Sequence, residues 1–367
     1  METNPFSYTK IVSGKAFCNR KKELKDLSVY ILGNQNVVLY SNRRMGKSSL
    51  LLKTAEKLKN QRKFLYVDLY GTISETDFIS AIFKALKQLE LNLDRLFKLL
   101  KGTFTSLSLT VSMDPTTATP TISPNFIPSQ KEKFLDEAFS AIYTLSKKKD
   151  LCVVFDEFQE VADYAEPDFE KRLRRIIQIH DNTSYVFSGS KRHILLRMFS
   201  ENNQAFYRQA EPYELLDIEK KHYLKWVKEM FGPKGTPLEE EFISSIIDAC
   251  ECHPMYVQRF LFHLWEKKDP QAIDINVILE LLIQRHEGEF QTLWDSLTLN
   301  QKKVMKLILK CGGVNIFSAE NIQGVQLQTA SQVKKAADAL LTAGIVDKTN
   351  VYHIQDLLLK NWLFRKL

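Results

Sequence analysis

Short apolar runs alternate with longer amphipathic stretches over roughly the first 220 residues of the chain. The short runs predict strands, and the amphipathic stretches predict helices. The predicted strands lie at residues 36–40, 64–69, 151–155, 184–188 and 213–218. Three of them are almost wholly apolar, as are strands that are buried on both faces of a parallel sheet. The pattern therefore predicts an α/β fold in which helices cover a parallel sheet.

Residues 102–129 depart from this alternation. Ser, Thr and Pro dominate there, and the apolar residues mostly alternate with polar ones. This pattern predicts a solvent-exposed β-hairpin or loop that is inserted into the α/β unit.

Helical patterns follow the last predicted strand, at residues 218–231, 238–249, 253–267 and 274–297. Three more helices, at 301–310, 318–322 and 331–343, precede a short β-hairpin at 344–354. Three helices followed by a β-wing is the order of a winged helix. We therefore predict three domains: an α/β core (1–218), a helical lid (219–297) and a winged-helix domain (298–367).

The composition is that of an ordinary globular protein, with 44% hydrophobic and 26% charged residues. The five cysteines are sparse, which predicts a reduced chain. The segment 250–253 contains two cysteines and a histidine, but no second pair nearby completes a metal site. We see no signal-peptide pattern and no apolar run of about 20 residues. We therefore expect a cytoplasmic protein that does not contact a membrane.

A loop that follows the first predicted strand carries the first chemical motif. Its residues are Ser41, Asn42, Arg43, Arg44, Met45, Gly46, Lys47, Ser48 and Ser49. In such a phosphate-binding loop, backbone N–H groups cradle the phosphates and a glycine such as Gly46 lets the backbone approach them. Lys47 would contact the β- and γ-phosphates of ATP, and Ser48 would bind Mg²⁺. Ser41 replaces the usual first glycine, which can strain the loop or weaken nucleotide binding.

Two carboxylates end the third predicted strand. Asp156 would hold Mg²⁺ through its water shell, and Glu157 would orient or deprotonate the attacking water. The next strand ends in Ser188, Gly189 and Ser190. Either serine could bind the water or the γ-phosphate, and simple turn chemistry is the alternative.

These motifs resemble those of the prokaryotic, predominantly archaeal ATPases of the AAA+/STAND group of P-loop NTPases. The resemblance extends to an N-terminal box at residues 17–24 and to a lid motif at residues 252–254. It implies five core strands in the order 5-1-4-3-2, a helical lid and a winged helix. It also implies that four residues contact the adenine: Asn19, Arg20, His253 and Pro254. Asn19 and Cys252 stand where the family has glycine, and Asn is the side chain that best tolerates a positive φ.

Several arginines are further candidates. The family often has an arginine after the fourth strand that acts at the nucleotide, and Arg208 stands one place early for this role. Arg192 is the competing candidate. We interpret Arg172, Arg174 and Arg175 as a solvated basic face or an interface edge.

Two classes of function remain open. The first is an Mg²⁺-dependent ATPase that acts as a nucleotide-driven switch. The second is a nucleotide-gated regulator with little turnover that binds duplex DNA, a protein partner or a second copy of itself. Residues 298–367 contain 10 Lys and Arg against 4 Asp and Glu, and they account for most of the net charge of +7. The predicted recognition helix at 331–343 carries Lys334 and Lys335, as a DNA-binding winged helix can.

Overall fold

The structure, a computed structural model, describes residues 3–89, 107–113, 120–126, 133–148 and 150–366. The chain forms two compact units. One unit is Arg20–Leu216, and the other combines Met1–Asn19 with Asp217–Leu367.

The unit Arg20–Leu216 alternates helices and strands. In chain order its elements are α1 (Lys21–Leu32), β1 (Val37–Tyr40), α2 (Lys47–Leu58), β2 (Lys63–Asp68), α3 (Glu75–Leu89), β3 (Leu107–Met113), β4 (Pro120–Phe126), α4 (Phe134–Ser146), β5 (Leu151–Asp156), α5 (Phe169–Ile177), β6 (Thr183–Gly189), α6 (Arg192–Ser200) and β7 (Glu211–Glu214). A 3-10 helix, Phe158–Asp163, follows β5.

Five parallel strands form the sheet of this unit, in the order β2-β5-β6-β1-β7. Numbered one to five along the chain, they give 2-3-4-1-5, which is the predicted order 5-1-4-3-2 followed from the other edge. The predicted α/β fold class and strand order are therefore confirmed. The largest boundary difference is in β7, which was predicted to run from 213 to 218.

The central strands have apolar residues at their middle positions because they are buried on both faces. Every residue of β1, β5 and β6 is buried. Aromatic rings of neighbouring strands stack in this core, with the Phe155 ring 6.1 Å from Tyr185 and 6.0 Å from Phe187. Tyr40 pairs with Gly189 and Asp68 with Asp156. This register brings the carboxyl ends of the strands to one edge of the sheet, where open α/β sheets bind ligands.

The predicted insertion contains an antiparallel hairpin, in which β3 pairs with β4 from Leu107 opposite Phe126 to Met113 opposite Pro120. The rest of the predicted insertion lies outside the described residues.

The other compact unit contains eleven helices and strands after residue 217, within the described residues. They are α7 (Lys220–Phe231), α8 (Glu240–Ala249), α9 (Pro254–Trp265), α10 (Ile275–Gln284), α11 (Glu287–Ser296), α12 (Leu299–Cys311), α13 (Ala319–Gly324), α14 (Ala330–Thr342), the antiparallel pair β8 (Val346–Lys348) and β9 (Tyr352–Ile354), and, after that pair, α15 (Leu357–Lys366). The predicted helix at 274–297 is thus two helices, α10 and α11.

The winged-helix order is confirmed by α12, α13, α14 and the β8–β9 wing. Local capping explains where two of these helices begin: Thr298 and Gln301 form a capping box at α12, and the Thr329 side chain accepts a hydrogen bond from the Gln332 backbone at α14. One hydrophobic core runs through the whole unit, from Phe6 to Leu363. Within this core the Tyr256 hydroxyl accepts a hydrogen bond from the Leu357 backbone at 3.0 Å.

Across the ranges that the structure describes, there is no helix whose length and apolar character would let it cross a membrane.

Candidate functional site

The loop between β1 and α2 has the backbone shape that its sequence requires. Gly46 precedes α2 with φ 92°, a conformation that a side chain disfavours. Arg44 also has a positive φ, 63°. Ser41, in contrast, is not among the residues with positive φ. The backbone strain that we expected from serine at this position is therefore absent.

The Lys47 side chain is buried, at 6% exposure, and points back over the start of the loop. Its Nζ donates to Ser41 Oγ at 3.2 Å, to Ser41 O at 3.4 Å and to Asn42 O at 3.3 Å. Burial lowers the pKa of Lys47, and the nearby carboxylates of Glu157 and Asp156 oppose this shift. The Ser41 hydroxyl thus holds the lysine in a way that glycine cannot.

Asp156 connects the loop to the sheet. Its Oδ2 accepts hydrogen bonds from Ser48 Oγ at 2.9 Å and from the Tyr66 hydroxyl. Its Oδ1 accepts from the Glu157 backbone at 3.1 Å. The structure therefore brings together the two residues that we predicted to bind the metal, Ser48 and Asp156.

The oxygen ligands of this site suit Mg²⁺, which is usually held by one or two carboxylates together with substrate phosphates and water. The described part of the chain has no group of three or more His, Cys, Asp or Glu side chains that could hold a metal ion. The segment 250–253 accordingly belongs to no such group.

Glu157 lies beside Asp156 and has a left-handed backbone, with φ 54°. Its Oε2 accepts from Gln159 Nε2 at 2.6 Å, from Ser190 Oγ at 2.9 Å and from Ser190 N at 3.3 Å. Ser188 is fully buried, and its Oγ has no hydrogen-bond partner among the described residues. Of the two candidate serines, Ser190 is therefore the one that contacts the carboxylate.

Two residues of this site were not identified from the sequence. Gln159 lies two residues after Glu157, and the sequence alone assigns no role to its amide. Tyr66 interrupts the apolar pattern of β2 two residues before the strand ends, and the pairing of β2 with β5 places it near Asp156. Burial, and then the charge of Asp156, raise the pKa of the Tyr66 phenol, which therefore remains a hydrogen-bond donor.

Arg20 of the N-terminal box forms a hydrogen bond with the phosphate-binding loop. Asn19 and Arg20 have φ values of 52° and 63°, which explains why the family has glycine at the first position. The buried Arg20 side chain donates to Met45 O at 3.3 Å and to Leu216 O at 2.6 Å. These bonds tie the phosphate-binding loop to the end of the unit.

The lid motif lies in the other compact unit. Cys252 has φ 56°, again at a position where the family has glycine. His253 occupies the position just before α9, and Pro254 is the first residue of that helix. The adenine contacts of Asn19, Arg20, His253 and Pro254 remain predictions.

The candidate arginines lie in different surroundings. The guanidinium of Arg192 lies 5.7 Å from the Tyr40 ring, next to the start of the loop, and pairs with Glu214 at 3.1 Å. Arg208 is exposed and lies over the ring of Tyr207. No contact that the structure describes joins Arg208 to the loop.

Arg172 corrects our interpretation of the basic face. Its guanidinium forms a two-pronged ion pair with the buried carboxylate of Glu75, with N–O distances of 3.0 and 2.5 Å. Arg172 is therefore a structural residue, whereas Arg175 is exposed.

Comparisons with known proteins agree with this geometry. Residues 17–260 match a family described as an ATPase domain predominantly from Archaea, and residues 288–365 match a probable winged helix domain. None of the curated proteins matches the sequence.

Solved structures are similar over nearly the whole chain. A Walker-type ATPase of Pyrococcus abyssi has a TM-score of 0.66 at 17% identity, over 95% of this chain and 97% of that one. The Aeropyrum pernix ORC2 protein, solved with ADPNP and ADP, has a TM-score of 0.54 at 12% identity, over 95% and 94%. The Aeropyrum pernix ORC1 protein in complex with DNA has a TM-score of 0.50 at 13% identity, over 96% of each chain. At these identities the similarity concerns the fold.

Proposed function

Because the chain belongs to the family of ATPase domains found predominantly in Archaea, it is a P-loop ATPase, and we propose that it hydrolyses ATP with Mg²⁺ as a nucleotide-driven switch. The observation that carries this proposal is the convergence of five side chains at one edge of the sheet. They are Lys47, Ser48, Asp156, Glu157 and Ser190.

Each side chain has a role that its surroundings support. Lys47 would leave the carbonyl groups of Ser41 and Asn42 to contact the β- and γ-phosphates. Ser48 and Asp156 would hold Mg²⁺, which neutralises charge on the phosphates when it is bound. Glu157 would accept the proton of the attacking water or orient it.

Ser190 would connect the γ-phosphate of bound ATP with Glu157. Its hydroxyl and its backbone N–H both donate to the Glu157 carboxylate. If the Ser190 hydroxyl instead donated to a γ-phosphate oxygen, the Glu157 carboxylate would lose one of its hydrogen-bond donors. The binding of ATP would in this way leave Glu157 freer to accept the proton of the attacking water.

The direct test is the release of phosphate from ATP by the full chain. We expect release that requires Mg²⁺ and stops when the metal is chelated with EDTA. Tight ATP binding without release would instead favour the regulator with little turnover, and the absence of both would contradict the proposal.

The winged helix supports a second candidate function, the binding of duplex DNA. Helix α14 exposes Ser331, Lys334 and Lys335 on its surface. Gln332, in contrast, accepts a hydrogen bond from the Gln328 backbone at 3.0 Å and is used in the turn before the helix. The exposed groups suit contacts to phosphates better than contacts to base edges.

We expect the double variant Lys334→Glu and Lys335→Glu to weaken duplex binding and to lower the slope of log affinity against log salt by about two. The control is Lys221→Glu with Lys225→Glu, an equal charge change on exposed lysines of α7. Fluorescence anisotropy at several salt concentrations measures both. Equal losses in the two double variants, or no binding at about 50 mM salt, would rule out this surface.

A further inference from the structure

The Tyr66 hydroxyl donates a hydrogen bond to Asp156, the carboxylate that is proposed to hold the metal. The proposed mechanism gives this hydroxyl no role. It lies on β2 opposite Val154 of β5, and its hydroxyl reaches past the strand to Asp156 Oδ2. That oxygen already accepts a hydrogen bond from Ser48 at 2.9 Å. Two hydroxyl groups therefore converge on one carboxylate oxygen.

The hydrogen bonds to Asp156 leave few of its lone pairs free for a metal ion. A carboxylate has about four lone-pair sites, two on each oxygen. Three are used by Ser48 Oγ, the Tyr66 hydroxyl and the Glu157 backbone N–H. Both sites of Oδ2 are used, and one site remains on Oδ1. A cation could bind Oδ2 directly only if one of the two hydroxyl donors left.

Mg²⁺ and Ca²⁺ differ in how much they depend on direct binding to a carboxylate. Mg²⁺ gives up its water reluctantly and keeps several water ligands, whereas Ca²⁺ takes six to eight oxygen ligands and binds carboxylates directly, often through both oxygens. A carboxylate that is restrained by donors can still accept hydrogen bonds from metal-bound water. With both sites of Oδ2 used, it cannot bind a cation through both oxygens.

We propose that Tyr66 is a positioning residue that keeps Asp156 a partner of metal-bound water rather than a direct metal ligand, and thereby selects Mg²⁺ over Ca²⁺. The inference rests on the proposed function, because it assumes that Ser48 and Asp156 hold the metal of a bound nucleotide. It assigns to Tyr66 the selectivity of the site, not a part in the reaction.

The test compares Tyr66→Phe, which removes only the hydroxyl, with Tyr70→Phe. Tyr70 lies four residues further along, is 81% exposed and loses the same atom at the surface. ADP affinity is measured by titration calorimetry with saturating Mg²⁺ and, separately, with saturating Ca²⁺. This readout requires no turnover.

We expect wild-type protein and Tyr70→Phe to bind ADP more tightly with Mg²⁺ than with Ca²⁺. In Tyr66→Phe we expect the ratio of the two affinities to fall roughly tenfold, the lower end of the effect of a hydrogen bond to a charged group. A merely structural role would weaken binding with both cations equally and leave the ratio unchanged.

An unchanged ratio in Tyr66→Phe would overturn the proposal, as would ADP binding by the wild-type protein that needs no cation. The proposed turnover fails separately. If ADP binds with the expected cation preference but ATP releases no phosphate, the switch is wrong and the role of Tyr66 stands.

Discussion

Replacement of Lys47 by alanine is expected to remove both ATP binding and ATP hydrolysis. The Lys47 ammonium is buried beside Asp156 and Glu157, and it supplies the positive charge next to these carboxylates. Alanine would leave two carboxylates facing the incoming phosphates. We expect ATP affinity to fall by at least about a hundredfold, which corresponds to the loss of one strong charge-assisted contact.

Replacement of Glu157 by glutamine is expected to separate the two activities. The amide oxygen of glutamine can take the place of Oε2 and accept the bonds from Gln159 and Ser190. The site therefore keeps its geometry and binds ATP, but the side chain can no longer accept a proton. We expect turnover to fall by roughly 10² to 10⁴, the usual contribution of a general base.

Titration calorimetry of ATP binding and single-turnover phosphate release distinguish the two variants. Lys53→Ala is the matched control, because Lys53 lies on the same helix and pairs with Glu56 at the surface. It is expected to behave as wild type. If Glu157→Gln hydrolysed ATP at the wild-type rate, Glu157 could not be the base. If Lys47→Ala bound ATP normally, the loop would not be the phosphate site.

The sheet and its chemistry were predictable because they depend on local patterns. Strands that are buried on both faces are apolar along most of their length, and β1 and β5 show this directly. The polar residues at the ends of β1 and β5 then had to lie at the carboxyl edge of the sheet. The confirmed strand order came from the family resemblance, since periodicity gives no information about which strands are neighbours.

The finer parts of the site depend on pairing and rotamers, which a single sequence does not contain. Tyr66 reaches Asp156 only because β2 pairs with β5 in a particular register. The choice between Ser188 and Ser190 depends on where β6 ends, since Ser188 is buried within the strand and Ser190 follows its last residue. Neither fact could be read from spacing alone.

The substitution at Ser41 illustrates a different limit. Serine at a glycine position predicted strain, which is an argument about φ. The structure has its positive φ values at Arg44 and Gly46 instead, so Ser41 carries no such cost. Its hydroxyl contacts Lys47, and this contact arises because the lysine folds back over the loop. The residue type at position 41 alone therefore did not reveal the contact between Ser41 and Lys47.

Replacement of Gly313 by alanine is expected to destabilise the compact unit that contains the winged helix. Gly313 follows α12 with φ 75°, and a Cβ there would lie 1.7 Å from the carbonyl oxygen of Tyr352 in β9. The backbone N–H of Tyr352 donates a hydrogen bond to Gly313 O at 3.3 Å, which holds β9 close to Gly313. Alanine would therefore force the wing away from the end of α12.

Gly312 provides a matched control. It also has a positive φ, 61°, but no atom lies within 4 Å of its added Cβ. Gly312→Ala therefore incurs only the backbone cost of about 1 kcal/mol, whereas Gly313→Ala adds an overpacking cost of about 1–3 kcal/mol. The difference between the two variants isolates the close approach of the backbone at Tyr352.

Urea unfolding followed by tryptophan fluorescence measures this difference in the right part of the molecule. The four tryptophans are Trp226, Trp265, Trp294 and Trp362, and all lie in the compact unit that contains the winged helix. The signal therefore reports on that unit and not on the α/β unit. Equal free energies of unfolding for Gly312→Ala and Gly313→Ala would show that the wing can move aside without cost. The wing would then be a weakly held part of the unit, and its position beside α12 would contribute little to the stability of the surface that carries Lys334 and Lys335.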